Sequence, residues 1–167
     1  GLLIMKTCVI TGSTGCLGMA LSRLLHEQGV RVIALGRNRI LGRALEEMGV
    51  EFHQIELANK KKLTHICQQA DTIFHCAALS SASGSYKAFY EANVLGTHHV
   101  INATPKHARL IHVSSPSVYF NFKTQYKIKE NSQLPKKSAT HYIQTKRMAE
   151  KLIDMAHKKR GLNAITL

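Results

Sequence analysis

Residues 6–29 hold the feature that most constrains this chain. A short β-rich apolar run, Lys6–Thr11, stops at a cluster of glycines and passes directly into a helical pattern. The run suits one buried strand. After Gly15 the residues Leu17, Ala20, Leu21, Leu24 and Leu25 fall at helical spacing, and Gly29 closes the segment. The same alternation continues to the end. Val30–Leu35 reads as a second strand, residues 39–48 as a helix closed by Gly49, and Val50–Ile55 as a third strand. Lys60–Gln69 reads as a helix and Thr72–Ala77 as a fourth strand. A long helix from about Tyr86 to Ala103, stopped by Pro105, precedes a fifth strand, Arg109–Val113. Pro116–Ala139 is polar and irregular, and Pro135 limits any helix there. His141–Arg160 is an amphipathic helix carrying Met148, Leu152 and Met155, and Asn163–Leu167 begins a sixth strand.

Strands alternating with helices imply an α/β fold with a parallel sheet. The glycine turn favours the doubly wound order 3-2-1-4-5-6. All 167 residues form one domain on this reading. No repeat points to a solenoid, and the apolar stretches of about six residues are far short of a membrane span. The start, Gly1–Lys6, is too short for a secretory signal. Cys8, Cys16, Cys67 and Cys76 make no C-x-x-C pair; Cys8, Cys67 and Cys76 sit in apolar surroundings and read as reduced core residues of a cytoplasmic protein.

Lys and Arg number 23 against 10 Asp and Glu, a net charge of +13. Such a balance suits anionic partners. The charge is dispersed, however, and its runs at Lys60–Lys62 and Lys158–Arg160 read as solvated helix faces. With 6% aromatic residues and no nucleic-acid motif, the balance points to a small anionic ligand rather than to nucleic acid. Ten histidines do not make a metal site: His98 and His99 are adjacent and so point apart, and no zinc spacing occurs. His75 reads as a packed strand-end residue.

The turn itself, Thr11-Gly12-Ser13-Thr14-Gly15-Cys16-Leu17-Gly18, carries chemistry. Glycines permit the tight bend and a close backbone approach, and the helix N-terminus presents N–H groups to a pyrophosphate. Gly18 allows helix and sheet to pack closely. Further along, Tyr142 and Lys146 are four residues apart and share a helix face. A phenol with a free pKa of about 10 is a poor acid–base catalyst at neutral pH, and a nearby ammonium is expected to lower it.

These motifs together resemble the extended short-chain dehydrogenase/reductase family, the nucleotide-sugar epimerases and hydroxysteroid dehydrogenases. The matching residues are the octet, His75-Cys76-Ala77-Ala78, Asn93 in Ala92-Asn93-Val94-Leu95-Gly96-Thr97, Ser114-Ser115-Pro116-Ser117-Val118-Tyr119, and Tyr142-x-x-x-Lys146, in the family's order. The resemblance implies a nicotinamide cofactor held by Gly12, Ser13, Thr14, Gly15, Cys16, Leu17 and Gly18. It also places Arg37, Asn38, Glu56, Leu57, Cys76, Ala77 and Ala78 around that cofactor. Glu56 stands where the family usually has Asp. Relatives that use NAD usually carry an acid at the end of the second strand, whereas this chain has Leu35-Gly36-Arg37-Asn38-Arg39. The Arg37 fork suits a 2′-phosphate, which favours NADP over NAD.

By the same resemblance Tyr142 exchanges a proton with the substrate oxygen and Lys146 holds the nicotinamide ribose. Ser115 hydrogen-bonds the substrate oxygen and Asn93 orders a water beside the lysine. The implied activity interconverts a secondary alcohol and a ketone. Phe120 after Tyr119 leans towards the hydroxysteroid-dehydrogenase-like branch. A nucleotide-sugar epimerase with tightly held NAD and a non-catalytic NADP-binding regulator stay open, as does a homodimer. The family's C-terminal substrate domain is expected to lie outside these 167 residues.

Overall fold

The computed structural model describes residues 4–76, 84–113 and 133–167, with backbone alone at 133–139. Six parallel strands, β1 (Thr7–Thr11), β2 (Arg31–Gly36), β3 (Glu51–Gln54), β4 (Thr72–His75), β5 (Arg109–His112) and β6 (Ala164–Thr166), pair in the order β3-β2-β1-β4-β5-β6. This is the doubly wound arrangement expected from the glycine turn. Register runs Cys8 opposite Val32 and Thr72, and Thr72 opposite Arg109.

Successive strand residues point to opposite faces, and both faces are covered. Cys8, Ile10, Val32, Ala34 and Phe74 pack beneath α1 (Cys16–Glu27) and α2 (Arg39–Glu47), against Met19, Leu25 and Leu45. Val9, Ile33, Leu35, Ile73 and Leu110 pack on the other face against Leu63 and Ile66 of α3 (Lys60–Cys67). Val100 and Ile153 complete that face from two later helices. Each such buried Ile or Leu contributes about 1.5–3 kcal/mol. Burial on both sides explains why these strands read as unbroken apolar runs. Gly29 and Gly49 close α1 and α2 at φ 84° and 92°, as their positions after the apolar periods predict.

Two elements depart from the sequence reading. The helix expected over Tyr86–Ala103 is α4 (Tyr86–Phe89) and α5 (Gly96–Ala103) joined by a π-helical stretch, Tyr90–Leu95. Its backbone stays helical through Phe89 and Gly96. The last helix, α6, spans Gln133–Arg160 rather than beginning at His141. Pro135 falls in its first turn, where a missing N–H forfeits no helical hydrogen bond, so proline there does not bar a helix. Residues 114–132 lie outside the described part. Among the described residues no helix is long and apolar enough to cross a membrane.

Candidate active site

All strands of a parallel sheet point the same way, so the turns after β1, β2, β3, β4 and β5 gather on one rim. Of the sequence candidates, Gly12–Gly18 follow β1, Arg37 and Asn38 follow β2, Glu56 and Leu57 follow β3, and Cys76 follows β4. Ala77, Ala78 and Ser115 lie outside the described residues.

The turn after β1 is built around Gly12, whose φ of 62° favours glycine. A Cβ on Gly18 would collide with the Gly12 carbonyl and lie 2.8 Å from Ser13 Cα, so α1 can seat against the turn only with glycine there. Gly15 caps α1 in extended conformation without a side-chain hydrogen bond, and the first turn has no acid. That leaves the positive end of the helix dipole facing the rim. The side chains divide sharply. Ser13 is buried, and its hydroxyl and N–H both donate to Leu35 O, at 2.7 and 3.0 Å. Its side chain thus braces β2. Cys16 is exposed and Leu17 half-buried. The Thr14 side chain lies against Gly36, where any Cβ would meet Thr14 Cγ2 at 2.8 Å.

Beyond β2, Arg37 is exposed and forms no ion pair among the described residues. Asn38 caps α2: its side-chain oxygen accepts from Leu41 N at 3.0 Å. Glu56 is exposed, whereas Leu57 packs on the core beside Gly96. The glycine turn, the uncapped helix end and the unpaired Arg37 fit the dinucleotide implied by the sequence.

On the other side of the switch between β1 and β4, α6 buries Tyr142 and Lys146 one turn apart, at 4% and 8% exposure. Asn93, in the π-helical stretch, is buried and donates from Nδ2 to Thr145 Oγ1 at 3.0 Å. Thr145 in turn donates to His141 O at 2.6 Å. Asn93 is thereby tied to the turn that carries both candidates. Widened turns of this kind recur at functional sites. The sequence singles out Asn93 but not Thr145, the residue that links it to α6.

Sequence reading also missed the floor of the site, two stacked histidines at the ends of β4 and β5. The His75 and His112 rings are 5.5 Å apart and inclined by 27°. Thr97 Oγ1 donates to Asn93 O at 2.7 Å, so it accepts from His75 Nε2 at 2.9 Å. His75 Nδ1 then accepts from Thr11 Oγ1 at 2.7 Å, and Thr11 Oγ1 accepts from Cys76 N at 3.1 Å. His75 is a packed strand-end residue, as expected. Its burial, with the charges of His112 and Lys146, holds its pKa well below the ordinary histidine value.

Electrostatics at Tyr142 run against the expectation from spacing. Burial, and then the Glu150 carboxylate, push the phenol up to about 12 instead of lowering it. Lys146 Nζ, meanwhile, lies 3.2 Å from His112 Nε2. Lys146 itself is brought down to about 8 by burial, against the opposing pull of Glu150 and Cys76. At neutral pH the pair is therefore a protonated phenol beside an ammonium. Such a pair can give a proton to a developing oxyanion and stabilise negative charge around it. No group of three His, Cys, Asp or Glu among the described residues could hold a metal.

Comparison with known proteins agrees with this fold. A family model described as the NAD dependent epimerase/dehydratase family matches residues 8–167. A 2-alkyl-3-oxoalkanoate reductase of Stenotrophomonas maltophilia is 39% identical over 112 residues, covering 66% of this chain and 33% of that protein. The 3beta-hydroxysteroid-dehydrogenase/decarboxylase isoform 1 of Arabidopsis thaliana is 32% identical over 172 residues, covering 94% and 39%. The chain thus spans less than half the length of either relative. Among solved structures, the UDP-glucuronic acid 4-epimerase of Bacillus cereus in complex with NAD superposes with a TM-score of 0.72. It is 19% identical, with 96% of this chain and 55% of that one covered, a likeness of fold.

Proposed function

Because the chain belongs to the NAD dependent epimerase/dehydratase family, within the extended short-chain dehydrogenases/reductases, we propose that it is an NADP(H)-dependent oxidoreductase interconverting a ketone and a secondary alcohol. The observation that carries this is the buried Tyr142–Lys146 pair on α6, facing the same rim as the glycine turn of β1. When bound, the nicotinamide supplies or accepts a hydride. The turn from Gly12 to Gly18 holds the pyrophosphate against the N-terminus of α1, and Arg37 pairs with the 2′-phosphate. Glu56, Leu57 and Cys76 border the adenosine and nicotinamide ends. Lys146 binds the nicotinamide ribose.

Tyr142 works as a general acid in reduction: its phenol, at about 12, keeps its proton until a carbonyl oxygen gains negative charge. Lys146 stabilises the resulting phenolate, and Ser115 orients the substrate oxygen. Asn93, through Thr145, keeps the catalytic turn of α6 in place. The identity to a named oxoalkanoate reductase supports ketone reduction.

The test is an assay of the protein against a panel of 3-oxo acids and cyclic ketones with NADPH, alongside UDP-glucose with NAD. Ketone-dependent NADPH oxidation is expected. Interconversion of the nucleotide sugar without net cofactor consumption would replace this reading with the epimerase.

A further inference from the structure

Lys146 is a buried cation with no ion-pair partner among the described residues. What it meets is His112, at 3.2 Å from Nζ to Nε2. His112 is 1% exposed at the end of β5, and its Nδ1 lies 3.2 Å from Thr166 Oγ1 on β6. An ammonium only donates. Nε2 must therefore be the bare nitrogen, and Nδ1 carries the ring proton and donates to Thr166. We infer that His112 is a positioning residue for Lys146: a neutral imidazole, fixed in one tautomer by Thr166, that accepts from the lysine ammonium and keeps it charged in a buried site. The inference rests on the proposed role of Lys146 and extends it to a residue outside the helix that carries the lysine.

The surroundings are consistent on every side. Facing Lys146 are Tyr142 and Glu150 from α6, His75 and Cys76 from the end of β4, and His112 from β5. Burial, and then the Lys146 charge, depress His112 to about 3, so the ring remains an acceptor throughout the neutral range. Protonating it would set two cations 3.2 Å apart in a poorly solvated site. A ring that merely filled the space between β5 and α6 would need neither a fixed tautomer nor a hydroxyl partner on the next strand.

The experiment is direct titration of Lys146 Nζ by NMR in lysine-labelled protein, without cofactor or substrate. Losing an acceptor disfavours the ammonium, so His112→Leu should lower the titration by about one pH unit. His112→Gln, whose amide oxygen reaches the former Nε2 position, should restore most of the parental value. Thr166→Val, a change on the last strand, should shift it in the same direction as His112→Leu. It decides the matter if the Leu variant does not fold. An unaltered Lys146 titration in either folded variant overturns the inference. An inactive parent whose Lys146 still responds to His112→Leu would refute the proposed function and leave this role standing.

Discussion

At Lys146 and Arg37 two cations are prepared for anionic groups in opposite ways. Burial brings Lys146 to about 8 against the opposing pull of Glu150 and Cys76, and its ammonium meets the uncharged His112 ring at 3.2 Å. Arg37 is left in solvent, its side chain without an ion pair among the described residues, while its carbonyl is fixed by Gln54 Nε2 at 3.1 Å. The backbone is anchored and the guanidinium is available. A charge-assisted contact to a 2′-phosphate is expected to favour NADPH over NADH by roughly 10- to 100-fold. Binding titrations of both cofactors should show that preference in the parent and its near loss in Arg37→Ala. Equal affinities in the parent would remove Arg37 from the cofactor site.

Among the elements, legibility followed how local the cause was. The β1–turn–α1 unit was readable because its determinants, the apolar run, Gly12, Gly15 and Gly18, are contiguous. The sheet order followed from the same unit together with the alternation of elements. The π-helical stretch at Tyr90–Leu95 is not marked by any local signal, and its Asn93 bonds Thr145, 52 residues away. The start of α6 was misplaced because proline was weighed as a breaker without knowing that it fell in a first turn. His112 went unnoticed for a related reason. On sequence it is one apolar-flanked strand residue, and only strand pairing brings it beside Thr166 while helix docking brings it to Lys146. The raised Tyr142 phenol has the same origin, since spacing reports proximity along a helix but not burial.

Taken as a whole, the molecule stores two neutral histidines in its core where sheet and site meet. The unfolded chain protonates both near pH 6.5, whereas folded His112 resists until about 3 and His75 is also strongly depressed. Between those limits the unfolded state binds more protons, so stability is fully present above pH 6.5 and is lost progressively as pH falls. Each histidine contributes a slope of up to about 1.4 kcal/mol per pH unit in that window. Urea unfolding between pH 7 and 4 should show this decline, and His112→Leu should flatten it. A stability flat across the window would mean that the histidines are not buried neutral.

The central claim is that Tyr142 delivers the proton in ketone reduction while Lys146 stays charged beside it. It is tested most directly by steady-state reduction of a ketone with NADPH as a function of pH, in the parent protein and in Tyr142→Phe. In the parent, kcat/KM should be level below about pH 8 and fall above it, as the Lys146 ammonium, with its pKa of about 8, is lost. Tyr142→Phe removes the proton carrier and spares the ring packing, so turnover should drop by at least about 10²-fold, with NADPH affinity unchanged. A Tyr142→Phe protein that reduces the ketone at the parental rate would contradict the account.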